Sequence, residues 1–457
     1  MRRSIRLFHA FNLFVAFAFT VMADPVSSVA YAIEAALRGL SGDLDDLLLT
    51  MALVIAAIGV IAGTYDQLIR RYPDGGGAAR SLGEAFGEGW SFLPLGALLV
   101  DFTLTIAVSL AAAASAAIAY FPELGSWRLG LAVAMGLIVA LGCALGHRGR
   151  IVFATATLAF GLLALVVLGQ GFASEPGPAT PPLAGDAALG AALLAMPLGL
   201  ALATGLEAPT SAIAQLGNLG DRGRRIFGRL TVWLLVAILG ALTLGFAALA
   251  AHLGVGQPEG ETTLLAEVAR ASTGGGAEFA AFQATSALLL LAAAASSFLA
   301  GSGLLKALAA RDSAGPGLLP ARLAHVNSAY APPWGLATLF VTATVLVLLS
   351  GAREQVLVQF YAVAVFMSFL GATVAAATLA RRERRTGRFA VAAAGAAIVA
   401  VVLALNMRRI DAIVAIVAAL LVSLYLWRAW VARGRPSGAA RADVERAIHG
   451  ERAIADD

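Results

Sequence analysis

The chain contains little charge and a single cysteine. Only 13% of its 457 residues are Asp, Glu, Lys or Arg, whereas 60% are hydrophobic. Soluble globular domains carry about 25% charged residues, so this composition excludes a soluble protein of this length. Because Cys143 has no second cysteine to pair with, a disulfide within the chain and a thiolate metal site are excluded too.

The motifs of nucleotide-driven and hydrolytic enzymes are missing as well. Gly75, Gly76 and Gly77 follow Tyr72-Pro73 but lack the Gly-Lys-Ser/Thr of a phosphate-binding loop. The five histidines show no zinc-ligand spacing, and there is no nucleophile elbow. We therefore expect no enzyme activity and no cofactor, and we expect any transport to use an ion gradient instead of ATP.

Apolar stretches long enough to cross a bilayer recur from one end of the chain to the other, and the mean hydropathy is +0.84. They predict twelve transmembrane helices, centred on residues 10–38, 47–70, 91–119, 128–146, 150–171, 187–217, 228–252, 279–307, 334–350, 354–380, 388–406 and 409–431. The connections are short. Residues 1–457 are therefore predicted to form one all-α integral membrane domain in the lipid bilayer, with a short tail at 432–457.

The basic residues are concentrated on one side of this predicted topology. That side holds Arg2, Arg3, Arg6, Arg70, Arg71, Arg80, Arg148, Arg150, residues 222–229, Lys306, Arg311, Arg322 and residues 381–388, whereas the other holds mainly Arg128, Arg270, Arg353, Arg408 and Arg409. By the positive-inside rule, both termini are expected to be cytoplasmic in a cell (inner) membrane. The net charge of +4 then reflects orientation, and no nucleic-acid partner is expected.

Predicted helices one and six are interrupted. The first contains Ala23-Asp24-Pro25-Val26-Ser27-Ser28 and the sixth contains Ala203-Thr204-Gly205, with Pro209 following, and proline removes an amide donor from a helix. Two interrupted helices five spans apart predict a 5+5 inverted repeat, residues 8–171 and 187–380, with helices 11 and 12 at 388–431. The alternative is two ordinary proline kinks.

Three carboxylates interrupt hydrophobic helices: Asp24, Asp101 and Glu207. A charge at bilayer depth costs a few kcal/mol or more unless it meets a partner, a cavity or an ion, so three acids in one chain predict an intramembrane site for a cation or a proton. Few basic residues lie within the spans, and three carboxylates cannot all stay ionised together at low dielectric. We expect Asp24 and Asp101 to coordinate a cation and Glu207 to carry the proton.

Hydroxyl groups accompany these acids. Asp101, Thr105 and Ser109 share one face of helix three because they are spaced at i, i+4 and i+8. Tyr31, Thr204 and Tyr361 are further candidates in helices one, six and ten. Oxygen atoms are the ligands that a dehydrated alkali cation requires. The alternative is that the Ser and Thr hydroxyls bond carbonyls one turn back and the tyrosines only pack.

Several of these segments resemble the amino acid–polyamine–organocation superfamily. Asp24-Pro25-Val26-Ser27-Ser28-Val29-Ala30-Tyr31 is similar to the first helix of its KUP and Kim-type potassium–proton symporters, Val100-Asp101-Phe102-Thr103-Leu104-Thr105 to their third helix, and Thr204-Gly205-Leu206-Glu207-Ala208 to their sixth. The resemblance implies the leucine-transporter fold, with broken helices 1 and 6, and proton-coupled uptake of potassium. The matched oxygens, Asp24 and Asp101 among them, would then be potassium ligands. Phe102 departs from the tyrosine often found there.

Two functions remain open from the sequence. The leading interpretation is a proton-coupled potassium importer working by alternating access, and the alternative is a proton- or sodium-coupled amino acid or polyamine permease. In the alternative, Ser296 and Ser297 would complete a sodium site, although they could also simply allow close helix packing. A sensor that no longer transports would have little reason to keep three costly acids. The expected partners are the lipid bilayer, the small cation or amino-acid substrate, and a second copy of the chain in a homodimer.

Overall fold

A computed structural model describes residues 2–146, 150–178, 188–216, 219–258, 262–310 and 317–436, and within these ranges every regular element is a helix. The α-helices are α1 (Arg2–Ser27), α2 (Val29–Gly39), α3 (Asp45–Arg71), α4 (Gly77–Phe86), α5 (Phe92–Tyr120), α6 (Arg128–Ala144), α7 (Arg150–Ala173), α8 (Ala188–Gly199), α9 (Ala208–Ala212), α10 (Asp221–Leu253), α11 (Leu264–Thr273), α12 (Ala277–Ala309), α13 (Pro333–Leu349), α14 (Glu354–Arg382), α15 (Thr386–Asn406) and α16 (Ile410–Ala432). Short 3-10 turns lie between some of them.

Each predicted membrane helix has a helical counterpart. Eleven segments in the described ranges are long and apolar enough to cross a membrane, and α13 is an apolar helix of 17 residues. The all-helical membrane architecture is therefore confirmed. The predicted tail lies mostly at residues 437–457, outside the described part of the chain.

Two short helices lie in connections that the sequence predicted as loops. The glycine run before α4 turns through positive φ at Gly75, Gly76 and Gly77. The connection at 253–278 contains α11, which begins where the Thr263 hydroxyl accepts a hydrogen bond from the Ala266 amide at 3.2 Å. α11 ends at Thr273, and the next residue, Gly274, has a φ of +70°. Both helices bury one face, so packing stabilises them although they are too short to be stable alone.

The two predicted helix interruptions differ in how far the backbone departs from helical geometry. Between α1 and α2 only Ser28 leaves the helix, and the hydroxyls of Ser27 and Ser28 donate to the carbonyls of Asp24 (2.6 Å) and Pro25 (2.5 Å). This first interruption is a kink of one residue between two helices. In the sixth span the chain leaves the helix fully, with Thr204 extended (φ −61°, ψ 140°) and Gly205 at φ +76°.

The two most enclosed spans, those of α5 and α14, carry candidate site residues. In an apolar stretch of 18 residues within each span, the buried share is 72% for the span that contains α5 and 76% for α14. The share is only 28% for α15 and for α16. α5 packs directly on α12, α14 and α16, and α3 packs on α10. The acids of the site are therefore enclosed by helices, and α15 and α16 lie at the periphery.

α5 and α14 run in opposite directions, because Ser115 near the end of α5 bonds Glu354 at the start of α14. The bundle thus has a Glu354 end, marked by Glu34, Arg128 and Glu354. It also has an Arg71 end, where α3 and α14 finish at Arg71 and Arg382. A helix of the length of α14 spans about 40 Å, enough to connect two sides of a bilayer.

Candidate functional site

The structure brings the three intramembrane acids into one region. Asp24 interacts electrostatically with Glu207, and Asp101 interacts with both. The interruption of the sixth span is what allows this approach, since a Cβ placed on Gly205 would lie 3.2 Å from Asp24 Oδ2 and 2.8 Å from Pro25 Cδ. Only a residue without a side chain, in the left-handed region, fits there.

In the part of the chain that the structure describes, no basic residue is paired with these acids. Asp101 and Glu207 are buried, and Asp24 is partly exposed although its Oδ1 atom is buried. One oxygen of each carboxyl group has no hydrogen-bond partner. The ion pairs of the described ranges involve Asp and Glu residues other than these three. A carboxylate buried in this way is unstable as an anion unless a cation or a proton joins it.

A layer of hydroxyls lies beside the acids toward the Glu354 end. The Thr105 hydroxyl donates to the Tyr361 hydroxyl at 3.0 Å, and the rings of Tyr31 and Tyr361 meet edge to face at 6.2 Å between centroids. The Tyr31 hydroxyl is directed at Tyr361 and Thr204 but completes no hydrogen bond of good geometry. Three predicted site residues, Tyr31, Thr105 and Tyr361, therefore lie together beside the acids.

The remaining predicted residues are less closely integrated. Ser109 is buried on the Asp101 face of α5 with its hydroxyl unpaired, while the Thr204 hydroxyl donates to the Ala201 carbonyl at 2.8 Å. On α12, Ser296 donates to the Ala293 carbonyl at 2.9 Å, and Ser297 is buried with its hydroxyl unpaired. The hydroxyls of Thr204 and Ser296 thus bond carbonyl oxygens about one turn back in the chain. This is the alternative to cation binding that the sequence left open for these residues.

The acids are close enough to interact electrostatically. In the described ranges no group of three His, Cys, Asp or Glu side chains has metal-site geometry. The arrangement instead offers carboxylate and hydroxyl oxygens on α1, α2, α5, the sixth span and α14. A monovalent cation with flexible oxygen coordination, or the amine of an organic substrate, is chemically compatible with it.

Sequence reasoning missed two buried hydroxyls on the other side of the acids. Tyr65 on α3 interacts electrostatically with Glu207 and Asp101, and its hydroxyl faces Ser368 on α14. Neither hydroxyl makes a hydrogen bond of good geometry. A polar tyrosine in the middle of an apolar helix was the available signal.

Sequence reasoning also missed a second acidic group at the Glu354 end. Glu354 accepts from the Ser115 hydroxyl at 2.7 Å and lies 3.5 Å from Arg128. Glu34 is paired with Arg38 at 2.9 Å and accepts from the Leu264 amide of α11 at 2.8 Å. Unlike the central acids, these two have cationic partners, and the i, i+4 spacing of Glu34 and Arg38 was the signal for one pair.

The Arg71 end is held by ion pairs outside the apolar core. Arg71 bonds both Glu84 and Glu383, and the Tyr72 hydroxyl donates to Glu84 at 2.5 Å. The hydrogen bond from the Arg71 guanidinium holds the pKa of the Glu84 carboxyl below its usual value. Asp74, in the glycine-rich loop, pairs with Arg224 of α10 at 3.1 Å.

The comparisons with known proteins agree with this geometry. A sequence model of a family described as amino acid permease matches residues 11–432. The chain belongs to the amino acid permease family. This permease is also similar to the potassium transporter KimA of Bacillus subtilis strain 168, with 27% identity over 372 aligned positions that cover 76% of the chain and 58% of KimA.

Family membership establishes the class of protein. This permease is a multi-pass membrane transporter and not an enzyme, as the sequence predicted. Its membership in the amino acid–polyamine–organocation group, inferred from the first, third and sixth helices, is confirmed. The chain spans only 58% of the length of KimA.

Proposed function

We propose that this permease couples the uptake of a small monovalent cation, with potassium as the preferred substrate, to the movement of protons. Asp24 and Asp101 coordinate the cation together with the oxygens of Tyr31, Thr105, Ser109, Thr204 and Tyr361. Glu207 carries the proton. Transport proceeds by alternating access of this site to the two sides of the membrane.

One observation carries the proposal: three interacting carboxylates lie within the helix bundle, and no basic residue in the described ranges pairs with them. An amino-acid substrate would bring its own carboxylate into this acidic region, which like-charge repulsion disfavours. A bare cation neutralises the site, and a proton on the remaining acid completes the charge balance. The similarity to a potassium transporter supports the choice of cation.

The architecture proposed for this cycle is the leucine-transporter fold. Residues 8–171 and 187–380 would form the inverted repeats, residues 388–431 would add helices 11 and 12, and α13 would complete twelve crossings. The contact between Gly205 and the Asp24-Pro25 kink supports this arrangement, since it joins the interruptions of the two repeats. The Arg71 end, which carries many basic residues, would face the cytoplasm, with both termini there and the protein in the cell membrane.

The alternative is a proton- or sodium-coupled amino acid or polyamine permease. The family description favours it, and so does the unpaired, buried hydroxyl of Ser297 on α12, which packs against α1. Ser297 with Ser296 would then contribute to a sodium site, and an acid of the central group would bind the substrate amine. A polyamine would fit the excess of acids better than an amino acid.

Flux in proteoliposomes separates these functions. Purified protein is reconstituted with a pH-sensitive dye inside, and potassium is added outside without any organic solute. We expect potassium-dependent proton movement that Asp24→Asn or Asp101→Asn abolishes while expression stays near wild type. Empty liposomes provide the control. Saturable uptake of an amino acid or polyamine that potassium does not affect would overturn the proposal.

A further inference from the structure

Tyr65 has a buried hydroxyl group that its packing does not require. Burying this group costs free energy, and a phenylalanine would pack in the same way. Its side chain is fully buried, and its ring meets Phe369 edge to face at 5.7 Å, a contact that phenylalanine would make equally well. Leaving a buried hydroxyl without a good hydrogen bond costs about 1–3 kcal/mol. Such a group in a native structure calls for a functional explanation or a bound water.

The position of Tyr65 provides that explanation. Of the groups around it, Ser368, Glu207 and Asp101 interact with its hydroxyl. Ser368 is buried on α14 and its own hydroxyl is also unpaired. Two unpaired hydroxyls therefore face each other within electrostatic range of the proposed proton carrier.

The pair lies on the Arg71 side of the acids. On α14, Ser368 lies about two turns beyond Tyr361 in the direction of Arg382. On α3, Tyr65 lies fewer than two turns before Arg71. Tyr31 and Tyr361 line the opposite side of the acids, toward the Glu354 end. The acids thus have one pair of hydroxyl-bearing residues on each side. Tyr31 and Tyr361 are proposed cation ligands, whereas Tyr65 and Ser368 have no role in the proposed function.

We propose that Tyr65 and Ser368 form a hydroxyl relay that releases the proton of Glu207 toward the Arg71 end. This inference rests on the proposed role of Glu207 as proton carrier. Because Glu207 and Tyr65 interact without a hydrogen bond, one water molecule completes the path between them. The Glu207 carboxyl gives its proton to this water, which gives one to Tyr65 Oη. Tyr65 gives its hydroxyl proton to Ser368 Oγ, and Ser368 gives one to water entering from the Arg71 end. A hydronium ion leaves, Glu207 remains as a carboxylate, and both hydroxyls and the bridging water are neutral again.

The relay is tested with Tyr65→Phe, which keeps the ring against Phe369 and removes only the hydroxyl. Two readouts are compared in proteoliposomes: net potassium-driven proton movement, and exchange of tracer potassium at equal concentrations on both sides. Net transport requires the proton to leave in every cycle. Exchange can proceed with the proton still bound, so a relay defect affects only the first readout.

We expect Tyr65→Phe to lower net transport at least tenfold while exchange stays within twofold of wild type. Ser368→Ala should act in the same direction. Tyr120→Phe is the matched control, since its ring is 41% exposed and packs on Phe121, away from the acids. It should change neither readout.

Three results would overturn the relay. Wild-type values of both readouts in Tyr65→Phe would show that the hydroxyl is not used. An equal loss of net transport and exchange, with an unchanged melting temperature, would make Tyr65 part of the cation site. Absence of potassium-driven proton movement in the wild-type protein would remove the proposed function and the relay together, and this outcome is visible before any variant is made.

Discussion

Gly205 and Asp24 lie against each other at the junction of the first and sixth spans. A Cβ on Gly205 would lie 3.2 Å from Asp24 Oδ2, and the backbone there has a φ of +76°. The contact joins a left-handed turn in one half of the chain to a carboxyl group in the other. The acid therefore depends on a glycine far away in sequence for its place among the other acids.

Replacing this glycine should impair transport. Gly205→Ala forces a side chain into the left-handed region, at a cost of about 1–3 kcal/mol, and pushes on Pro25 and Asp24. We expect potassium flux to fall at least tenfold, with a lower melting temperature in detergent. The control is Gly161→Ala on α7, where an added Cβ meets nothing within 4 Å. Unimpaired flux in Gly205→Ala would show that the junction tolerates movement.

Glu207→Gln should separate cation exchange from proton coupling. Glutamine resembles the protonated acid in shape and charge. The cation site of this variant therefore has the same charge as the wild-type site with a proton on Glu207. We expect exchange of tracer potassium to continue while net uptake no longer responds to a pH gradient. Asp101→Asn is the comparison, because removing a cation ligand should abolish both. If Glu207→Gln retained its response to the pH gradient, another acid would carry the proton.

The Tyr361 hydroxyl should contribute to cation affinity. Tyr361→Phe keeps the ring against Tyr31 but removes the partner of Thr105 and one candidate ligand. The loss of about 1–1.5 kcal/mol of cation binding predicts a KM for potassium that is about tenfold higher. Tyr425→Phe, on an exposed side chain, is the control. An unchanged KM would exclude the Tyr361 hydroxyl from the site.

The ion pair of Arg128 and Glu354 should support stability at the Glu354 end. Both side chains are buried, and Arg128→Ala leaves the Glu354 carboxylate without its cation at a cost of about 3–5 kcal/mol. The double variant Arg128→Met with Glu354→Leu should recover most of this loss because no unpaired charge remains buried. Thermal unfolding in detergent measures both. A double variant no more stable than Arg128→Ala would contradict this account.

The ion pair of Glu84 and Arg71 predicts a pH-dependent contribution to stability. The pKa of Glu84 is lowered from its ordinary 4.5 in the folded state, so its contribution is present above pH 4.5 and is lost as pH falls through the folded pKa. Because the carboxylate is about one-third exposed, the contribution is about 1 kcal/mol or less.

Glu84→Gln should therefore lower the melting temperature slightly at pH 7. The difference from wild type should shrink in acid. Glu123→Gln, an exposed carboxylate, is the control and should show no such pattern. A difference from wild type that stays constant down to pH 3 would mean that Glu84 acts through its shape and not its charge.

The helices could be predicted from the sequence because a membrane span is a local property of composition and length. The same holds for Asp24, Asp101 and Glu207, since an acid within an apolar run is visible without any contact. Local patterning did not predict α4 and α11, which depend on packing of one face. It also did not distinguish a kink at Ser28 from a full break at Gly205, because both carry proline and hydroxyl residues nearby.

The sequence by itself determined that the chain lies in a membrane and which charges lie at bilayer depth. Only the tertiary structure decided which of those charges are compensated. Glu34 and Glu354 meet arginines, while Asp24, Asp101 and Glu207 meet one another. The contact of Thr105 with Tyr361 joins positions 256 residues apart. Such contacts depend on how each helix is rotated and packed, and a rotation of one residue, about 100°, would turn a site oxygen toward lipid.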